Sequence, residues 1–382
     1  MEQPQGGRER ISRRVTPGDP LESQGRGRYG CLLSFSCSRG NQGKADLKGD
    51  TLAMADHGIS SAAIVCADRF YLSDKAKAEF SRMGGYAVAD AGNAGDLAEK
   101  IGGSPSVKVV VSEYVPVNDA VLSRAPGLRG VIAYGAGYDH LDVKAMKRRG
   151  VLACNCRGEN AQAVAELAFG LMLCLLRRLH KADPWVRTGG WEKAGMALPQ
   201  WASGRELWRK TLGIVGLGQI GARVARIAQG FDMQTIGYDP WMNPEQFRCL
   251  GVEPVAVAEL LSRSDVVTLH VPLTPGTEKM LDARALAGVK PGMILVNTSR
   301  GRVIDEEAFM EALQTGKIEG AALDVFPHEP LPSNHPLAKM ENVILSPHLG
   351  ALSREAGDRL SDSVVRQVRD ILEGRTPEGL IR

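Results

Sequence analysis

Residues 211–239 constrain the fold more than any other stretch of this chain. Leu212-Gly213-Ile214-Val215 is an apolar run of strand length. It passes directly into Gly216-Leu217-Gly218-Gln219-Ile220-Gly221, and Ala222 to Ala228 continues with helical spacing. A G-x-G-x-x-G between a buried strand and a helix is the first turn of a β-α-β unit. Gly216 permits the tight turn. Gly218, with no side chain, lets a pyrophosphate approach the backbone, and Gly221 lets helix and strand pack closely. The helix N-terminus offers unpaired N–H donors and a positive dipole end to phosphates. The next strand, 234–238, ends at Asp239, which lies 18 residues beyond Gly221 and so near the expected separation of about 20. Its carboxylate can accept from ribose hydroxyls and would repel a 2′-phosphate. This predicts a dinucleotide site on Gly216, Gly218, Gln219, Ile220, Gly221 and Asp239, with NAD favoured over NADP.

Around that unit the chain alternates strand-like and helical segments, which implies α/β architecture with parallel sheets. A first series of strands is expected at 61–66, 86–89, 107–112, 130–134 and 151–155, with a helix at 75–83. A long apolar helix is expected at 161–179, and 180–208 reads as irregular and rich in tryptophan. The second series is expected at 211–215, 234–238, 265–270, 292–297, 320–324 and 343–345, before an amphipathic helix at 353–373. The chain of 382 residues is long enough for two such domains. The division expected is a flavodoxin-like substrate domain of 54–158 and 346–382, and a Rossmann NAD domain of 159–345. Residues 1–53 lack apolar periodicity and are expected to be a disordered, dispensable tail.

Several functional classes are disfavoured. The nine basic and six acidic residues of 1–53 account for the whole net charge of +3, so nothing global suggests nucleic acid. No apolar run approaches the roughly 20 residues of a membrane span. The tail lacks the long apolar run of a secretory signal, and its acidic residues argue against a mitochondrial one. The seven cysteines form no C-x-x-C pair; free thiols in a reducing compartment, hence the cytoplasm, and no metal site are expected.

Three polar residues fall at carboxyl ends of strands in the second series, where open α/β sheets bind ligands. Arg300 follows Val296-Asn297-Thr298-Ser299, Glu329 follows Leu323-Asp324-Val325-Phe326-Pro327-His328, and His348 follows Ile344-Leu345-Ser346-Pro347. A guanidinium suits a carboxylate. A histidine backed by a carboxylate suits acid–base work. Each residue alone also fits a surface ion pair or a loop charge, and on spacing His328 rivals His348.

From about residue 60 the chain resembles the D-isomer-specific 2-hydroxyacid dehydrogenases. The resemblance lies in Gly135-Ala136-Gly137-Tyr138-Asp139-His140-Leu141-Asp142, Asn160 with Val164-Ala165-Glu166, the glycine turn and His270-Val271-Pro272-Leu273. It continues through Asn297-Thr298-Ser299-Arg300-Gly301, Asp324, Glu329-Pro330 and Ser346-Pro347-His348. It implies an NAD-dependent oxidoreductase acting on the CH–OH group of small 2-hydroxy acids. Arg300 would bind the substrate carboxylate and carbonyl, His348 would be the acid–base, and Glu329 would support it. Gly135, Ala136 and Gly137 would offer backbone donors to the substrate. Val271, Pro272, Thr298 and Asp324 would contact the cofactor, the last two at its nicotinamide half.

Within that family the sequence looks most like 3-phosphoglycerate dehydrogenases, with glyoxylate or hydroxypyruvate reductases as the rival. Glu113, in Ser112-Glu113-Tyr114, stands where the former usually carry an Arg-Ser pair and would oppose a phosphate. No regulatory domain is expected after Arg382. Arg157, in a turn that holds proline in many relatives, is a candidate for a second anion or a solvated loop charge. The stretch from Trp191 to Trp208 suggests a homodimer arm or a wall of the cleft. The alternative is an NAD-binding corepressor of the C-terminal-binding-protein type.

Overall fold

The computed structural model describes residues 58–381. The tail expected at 1–53 lies outside the described residues. Two parallel sheets organise the rest. The first joins β1 (Ile64–Cys66), β2 (Tyr86–Val88), β3 (Val109–Ser112), β4 (Gly130–Ala133) and β5 (Leu152–Asn155), in the order β2-β1-β3-β4-β5. The second joins β6 (Thr211–Val215), β7 (Gln234–Tyr238), β8 (Glu253–Pro254), β9 (Val266–Leu269), β10 (Met293–Asn297), β11 (Ile318–Leu323) and β12 (Val343–Leu345). Its order is β12-β11-β10-β9-β6-β7-β8. These are the flavodoxin-like and Rossmann arrangements, so the doubly wound fold is as expected.

The strands read as continuous apolar runs because helices cover both faces of each sheet. β1, β3, β4, β9 and β10 are buried along their whole length. The helix Ala161–Leu176 is apolar nearly all round and packs Phe169, Met172 and Leu175 against Leu212, Ile214 and Val224 of the second sheet's core. The final helix, Arg354–Glu373, is capped by Ser353 and buries Leu360, Val364, Val368 and Ile371 against Ile64, Val109 and Ile132. It therefore returns the chain to the first sheet.

Two expectations need correction. β8, missed in the sequence, is two exposed residues at a sheet edge and carries no apolar run. The 180–208 stretch is not irregular throughout. It contains helices Leu179–Arg187 and Gly190–Ala194 and a 3₁₀ turn, Gln200–Ala202, and the preceding helix ends at Leu176. Arg178, at φ 57, separates Ala161–Leu176 from Leu179–Arg187. Gly189, Gly195 and Pro199 divide the stretch into short pieces, and Pro184 inside the first of them obscures its helical signal.

Both sheets place their topological switch points at carboxyl ends. In the second sheet β6 lies between β7 and β9, and Val215 aligns with Tyr238 and Leu269. Chain leaves these neighbouring ends in opposite directions, which opens a crevice there.

Candidate active site

The cleft at these strand ends holds two adjoining cavities of about 1160 and 1170 Å³, which share Arg157, Gly218, Gln219, His270, Val271, Pro272 and Thr274. On one side lies the glycine turn. Gly216 has φ +90, and a Cβ there would press on the His270 carbonyl. A Cβ on Gly221 would collide with the Gly216 carbonyl, so this position is where helix and turn touch. A Cβ on Gly218 would meet nothing within 4 Å: the middle glycine opens on the cavity. Asp239 holds the end of β7 to this turn. Its Oδ2 accepts from the Leu217 N–H at 2.9 Å and its Oδ1 from the Trp241 N–H at 3.0 Å.

The lining also suits a bound dinucleotide through its unmet polar groups. Among the described residues, four buried side chains have an atom without a hydrogen-bond partner. Three of these atoms, Asn160 Oδ1, His270 Nδ1 and Thr298 Oγ1, belong to residues that line the cleft. A buried polar atom left unpaired is costly, so these positions are where a ligand's polar groups would be welcome. Burial drives His270 down to about 3, which keeps its ring neutral at working pH.

On the other side the structure brings Arg300, Glu329 and His348 to one cavity. His348 Nδ1 lies 2.7 Å from Glu329 Oε2, and Glu329 Oε1 accepts from the Phe326 N–H at 2.9 Å. Burial raises the Glu329 carboxyl, but hydrogen bonds from His348 and Phe326, with the charges of His348 and Arg300, outweigh it and hold it below its ordinary value. The carboxylate is thus ionised behind the ring. Nδ1 being engaged, Nε2 is the ring nitrogen free for chemistry. His328, the rival on spacing, is absent from the residues that line the cleft.

His348 sits at φ 55, a left-handed conformation that costs a non-glycine residue about 1–2 kcal/mol. Asp324, buried and 1% exposed, holds this backbone in place. Its Oδ1 accepts from Ser346 Oγ at 2.6 Å and from the Leu349 N–H at 2.8 Å, and its Oδ2 from the Gly350 N–H at 2.8 Å. Its carbonyl accepts from the His348 N–H at 2.9 Å. Both carboxylate oxygens of Asp324 are therefore turned to the histidine's loop.

Arg300 is fixed by Asn297, whose amide donates to the Arg300 carbonyl at 2.9 Å. Its Nε donates to Asp139 Oδ1 at 2.8 Å and its Nη1 to the Ser299 carbonyl at 2.7 Å. Burial works against the Asp139 carboxylate, but the Arg300 charge and hydrogen bond prevail and lower its pKa. A Cβ on Gly137 would collide with the guanidinium, so a side chain here would push the Arg300 head group out of its position. The Gly135 carbonyl accepts from the Cys156 N–H at 2.8 Å and the Ala136 carbonyl from Asn155 Nδ2 at 2.7 Å. Of the three backbone donors expected here, the Gly135 N–H is already used, donating to the Ala133 carbonyl at 2.9 Å, whereas the N–H groups of Ala136 and Gly137 have no acceptor among the described residues.

Sequence reasoning missed three supporting parts. Asp139 pairs with Arg300; it lay inside the stretch around Gly135 but carried no signal of its own. Tyr114 meets the His348 ring edge to face at a centroid distance of 5.3 Å. Asp68 accepts from the N–H groups of Glu113, Tyr114 and Val115 and so shapes the loop after β3. Glu113 lines the cavity, and burial, then the Asp68 carboxylate, push its carboxyl up to about 7 against the pull of His348 and Tyr114.

Residues 169–350 match the model of the D-isomer specific 2-hydroxyacid dehydrogenase NAD binding domain. A glyoxylate reductase of Korarchaeum cryptofilum is 42% identical over 266 residues, covering 70% of this chain and 80% of that protein. A D-3-phosphoglycerate dehydrogenase of Methanocaldococcus jannaschii is 39% identical over 287 residues, which is 75% of this chain and 53% of that one. Among solved structures, an NADPH-dependent glyoxylate/hydroxypyruvate reductase from Sinorhizobium meliloti, in complex with NADP and malonate, superposes with a TM-score of 0.75 at 27% identity. It covers 84% of this chain and 97% of its own.

Proposed function

The chain belongs to the D-isomer-specific 2-hydroxyacid dehydrogenase family, oxidoreductases that bind NAD, and from that premise we propose that it reduces a small, unphosphorylated 2-keto acid with NADH. The observation that carries this reading is the His348–Glu329 contact of 2.7 Å opening on the cavity that also holds Arg300. When bound, the nicotinamide supplies the hydride, or takes it in the reverse direction. The protein's residues do the rest. The Arg300 guanidinium and the N–H groups of Ala136 and Gly137 hold the substrate carboxylate. Arg300 also polarises the carbonyl, stabilising the charge that develops on its oxygen. His348 donates the proton on Nε2 to that oxygen as it becomes a hydroxyl, and Glu329, against Nδ1, holds the ring in the orientation for that transfer. In oxidation His348 takes the same proton back.

The cofactor side is assigned to Gly216, Gly218, Gln219, Ile220, Gly221, Val271 and Pro272, with Asp239 disfavouring a 2′-phosphate and Thr298 meeting the nicotinamide half. Asp324 acts mainly as the support of the His348 loop. Glyoxylate and hydroxypyruvate are the favoured substrates. The curated relatives include glyoxylate reductases, and the Glu113 carboxyl in the cavity lining disfavours a phosphorylated substrate. The corepressor reading draws on no feature of the cleft, whereas an acid–base pair and an arginine opening on one cavity favour the enzyme. Exposed Leu179, Val186, Trp191, Met196 and Leu198 on the 179–208 segment support a homodimer. The buried free thiols of Cys66, Cys154 and Cys156 support a cytoplasmic location.

The test is a panel of NADH-linked rates with glyoxylate, hydroxypyruvate, phosphohydroxypyruvate and bulkier 2-keto acids, repeated with NADPH. Fast oxidation of NADH by the two small acids is expected. No turnover across the panel, with NADH bound, would return the protein to a sensing or scaffolding role.

A further inference from the structure

The arginines lining the two cavities are Arg157, Arg300 and Arg302. Arg300 is paired with Asp139 and Arg302 with Glu278. Arg157 makes no hydrogen bond or ion pair among the described residues. It follows β5 and so belongs to the first sheet, yet it lines the cavity together with Gly216, Leu217 and Gly218 of the second. The adjoining Gly158, at φ +91, brings this loop onto the start of the helix Gln219–Gln229: a Cβ there would lie 3.5 Å from Gln219 Cγ.

Two acids of the neighbouring loops are already paired with another arginine. Glu159 and Glu378 both pair with Arg366, at 3.3 and 2.8 Å. The glycine turn itself contains no cation, and Arg223, the first along its helix, folds back on the Gln219 carbonyl and side chain. A helix N-terminus offers only about half a charge, whereas a pyrophosphate carries two. An unpaired guanidinium beside that turn is chemically suited to the deficit, because it binds phosphoryl oxygens with charge-assisted hydrogen bonds.

We propose that Arg157 binds the pyrophosphate of the dinucleotide, contributing from the first-sheet loop the cation that the glycine turn lacks. The inference rests on the cofactor reading above and deepens it. The residue comes from the first sheet's half of the cleft and the glycine turn from the second, so a pyrophosphate bound by both would span the two halves. The same guanidinium could instead meet a phosphate on the substrate, and the experiment separates the two sources.

Wild type, Arg157→Ala and Arg157→Lys are titrated with NADH by fluorescence, and with ADP-ribose and adenosine by calorimetry. In Arg157→Ala the Kd for NADH and ADP-ribose is expected to rise about tenfold, the loss of one charge-assisted contact, while adenosine is unaffected. Arg157→Lys should fall between, and added salt should weaken ADP-ribose binding less in Arg157→Ala than in wild type. At saturating NADH, the kcat/KM ratio of phosphohydroxypyruvate to hydroxypyruvate should be the same in wild type and variant. Unchanged ADP-ribose binding in a variant with wild-type thermal stability overturns the proposal. So does a fall in that substrate ratio with cofactor affinity intact, which would assign the guanidinium to the substrate. Wild type that binds neither NADH nor ADP-ribose overturns the underlying cofactor reading as well.

Discussion

The two sides of the cleft are built in opposite ways. The cofactor side is almost contiguous: a strand, a turn of three glycines, a helix and Asp239 follow one another within 211–239. The catalytic side is assembled from the ends of β10, β11 and β12, with Asp139 and Glu113 added from loops of the first sheet. The first works through backbone shape, where position is set by φ and by the absence of a Cβ. The second works through side-chain pairs, where position is set by a partner far along the chain. Damage to the first should therefore weaken cofactor binding, and damage to the second should spare it and stop chemistry.

The sharpest way to break this contrast is His348→Asn. Loss of the acid–base should lower kcat by about 10²- to 10⁴-fold, while the NADH Kd measured by fluorescence stays within about twofold. A variant that still turns over normally removes His348 from its role. Arg300→Gln comes next. It should raise KM for the keto acid and cut kcat/KM by about 10²- to 10³-fold, since both carboxylate binding and charge stabilisation are lost. Steady-state kinetics over a range of substrate concentration separates the two parameters. Equal loss of NADH affinity in either variant would mean that the two sides are not independent.

The same contrast explains what could be read in the sequence. The sheets were legible because buried parallel strands are apolar runs, as in Val109–Ser112 and Met293–Asn297, and the glycine turn because its spacing is local. β8 was not, since two exposed residues leave no pattern. Arg300, Glu329 and His348 were legible only as charges at strand ends; the 161 and 19 residues that separate their pairs, Asp139–Arg300 and Glu329–His348, hid the contacts. Asp324 was legible as a site residue, but its attachment to Ser346, Leu349 and Gly350 depends on where β11 and β12 lie side by side. Tyr114 and Asp68 had no signal, because an aromatic edge contact and a loop cap are made by folding and not by spacing.

On the cofactor side a smaller effect is expected. Asp239→Ser removes the charge that would repel a 2′-phosphate but keeps a hydroxyl-sized acceptor near the Leu217 N–H. The kcat/KM preference for NADH over NADPH should fall about tenfold, with kcat for NADH nearly unchanged. A preference that does not move would place discrimination elsewhere in the turn.

The smallest expected effect is a pH dependence at Glu113, on the catalytic side. Its environment raises it to about 7 from an ordinary 4.5. Asp68, His348 and Tyr114 face it, and Tyr134 feels its charge. Below about 7 it is neutral and can share the cavity with an anionic substituent; above, it is charged and repels one. The KM for phosphohydroxypyruvate relative to hydroxypyruvate should therefore rise several-fold as pH climbs from about 6 to about 8. Stability follows the same sign. A carboxyl whose pKa is raised in the fold holds its proton more tightly there than in the unfolded chain, so its contribution weakens as pH rises through 4.5 and on to about 7. Glu113→Gln should flatten the KM ratio and gain more thermal stability over wild type at pH about 8 than at pH about 5. If the ratio keeps its slope in Glu113→Gln, another group titrates against the phosphate. If the ratio has no slope in wild type, Glu113 does not face the substituent, and the preference for unphosphorylated acids loses its structural support.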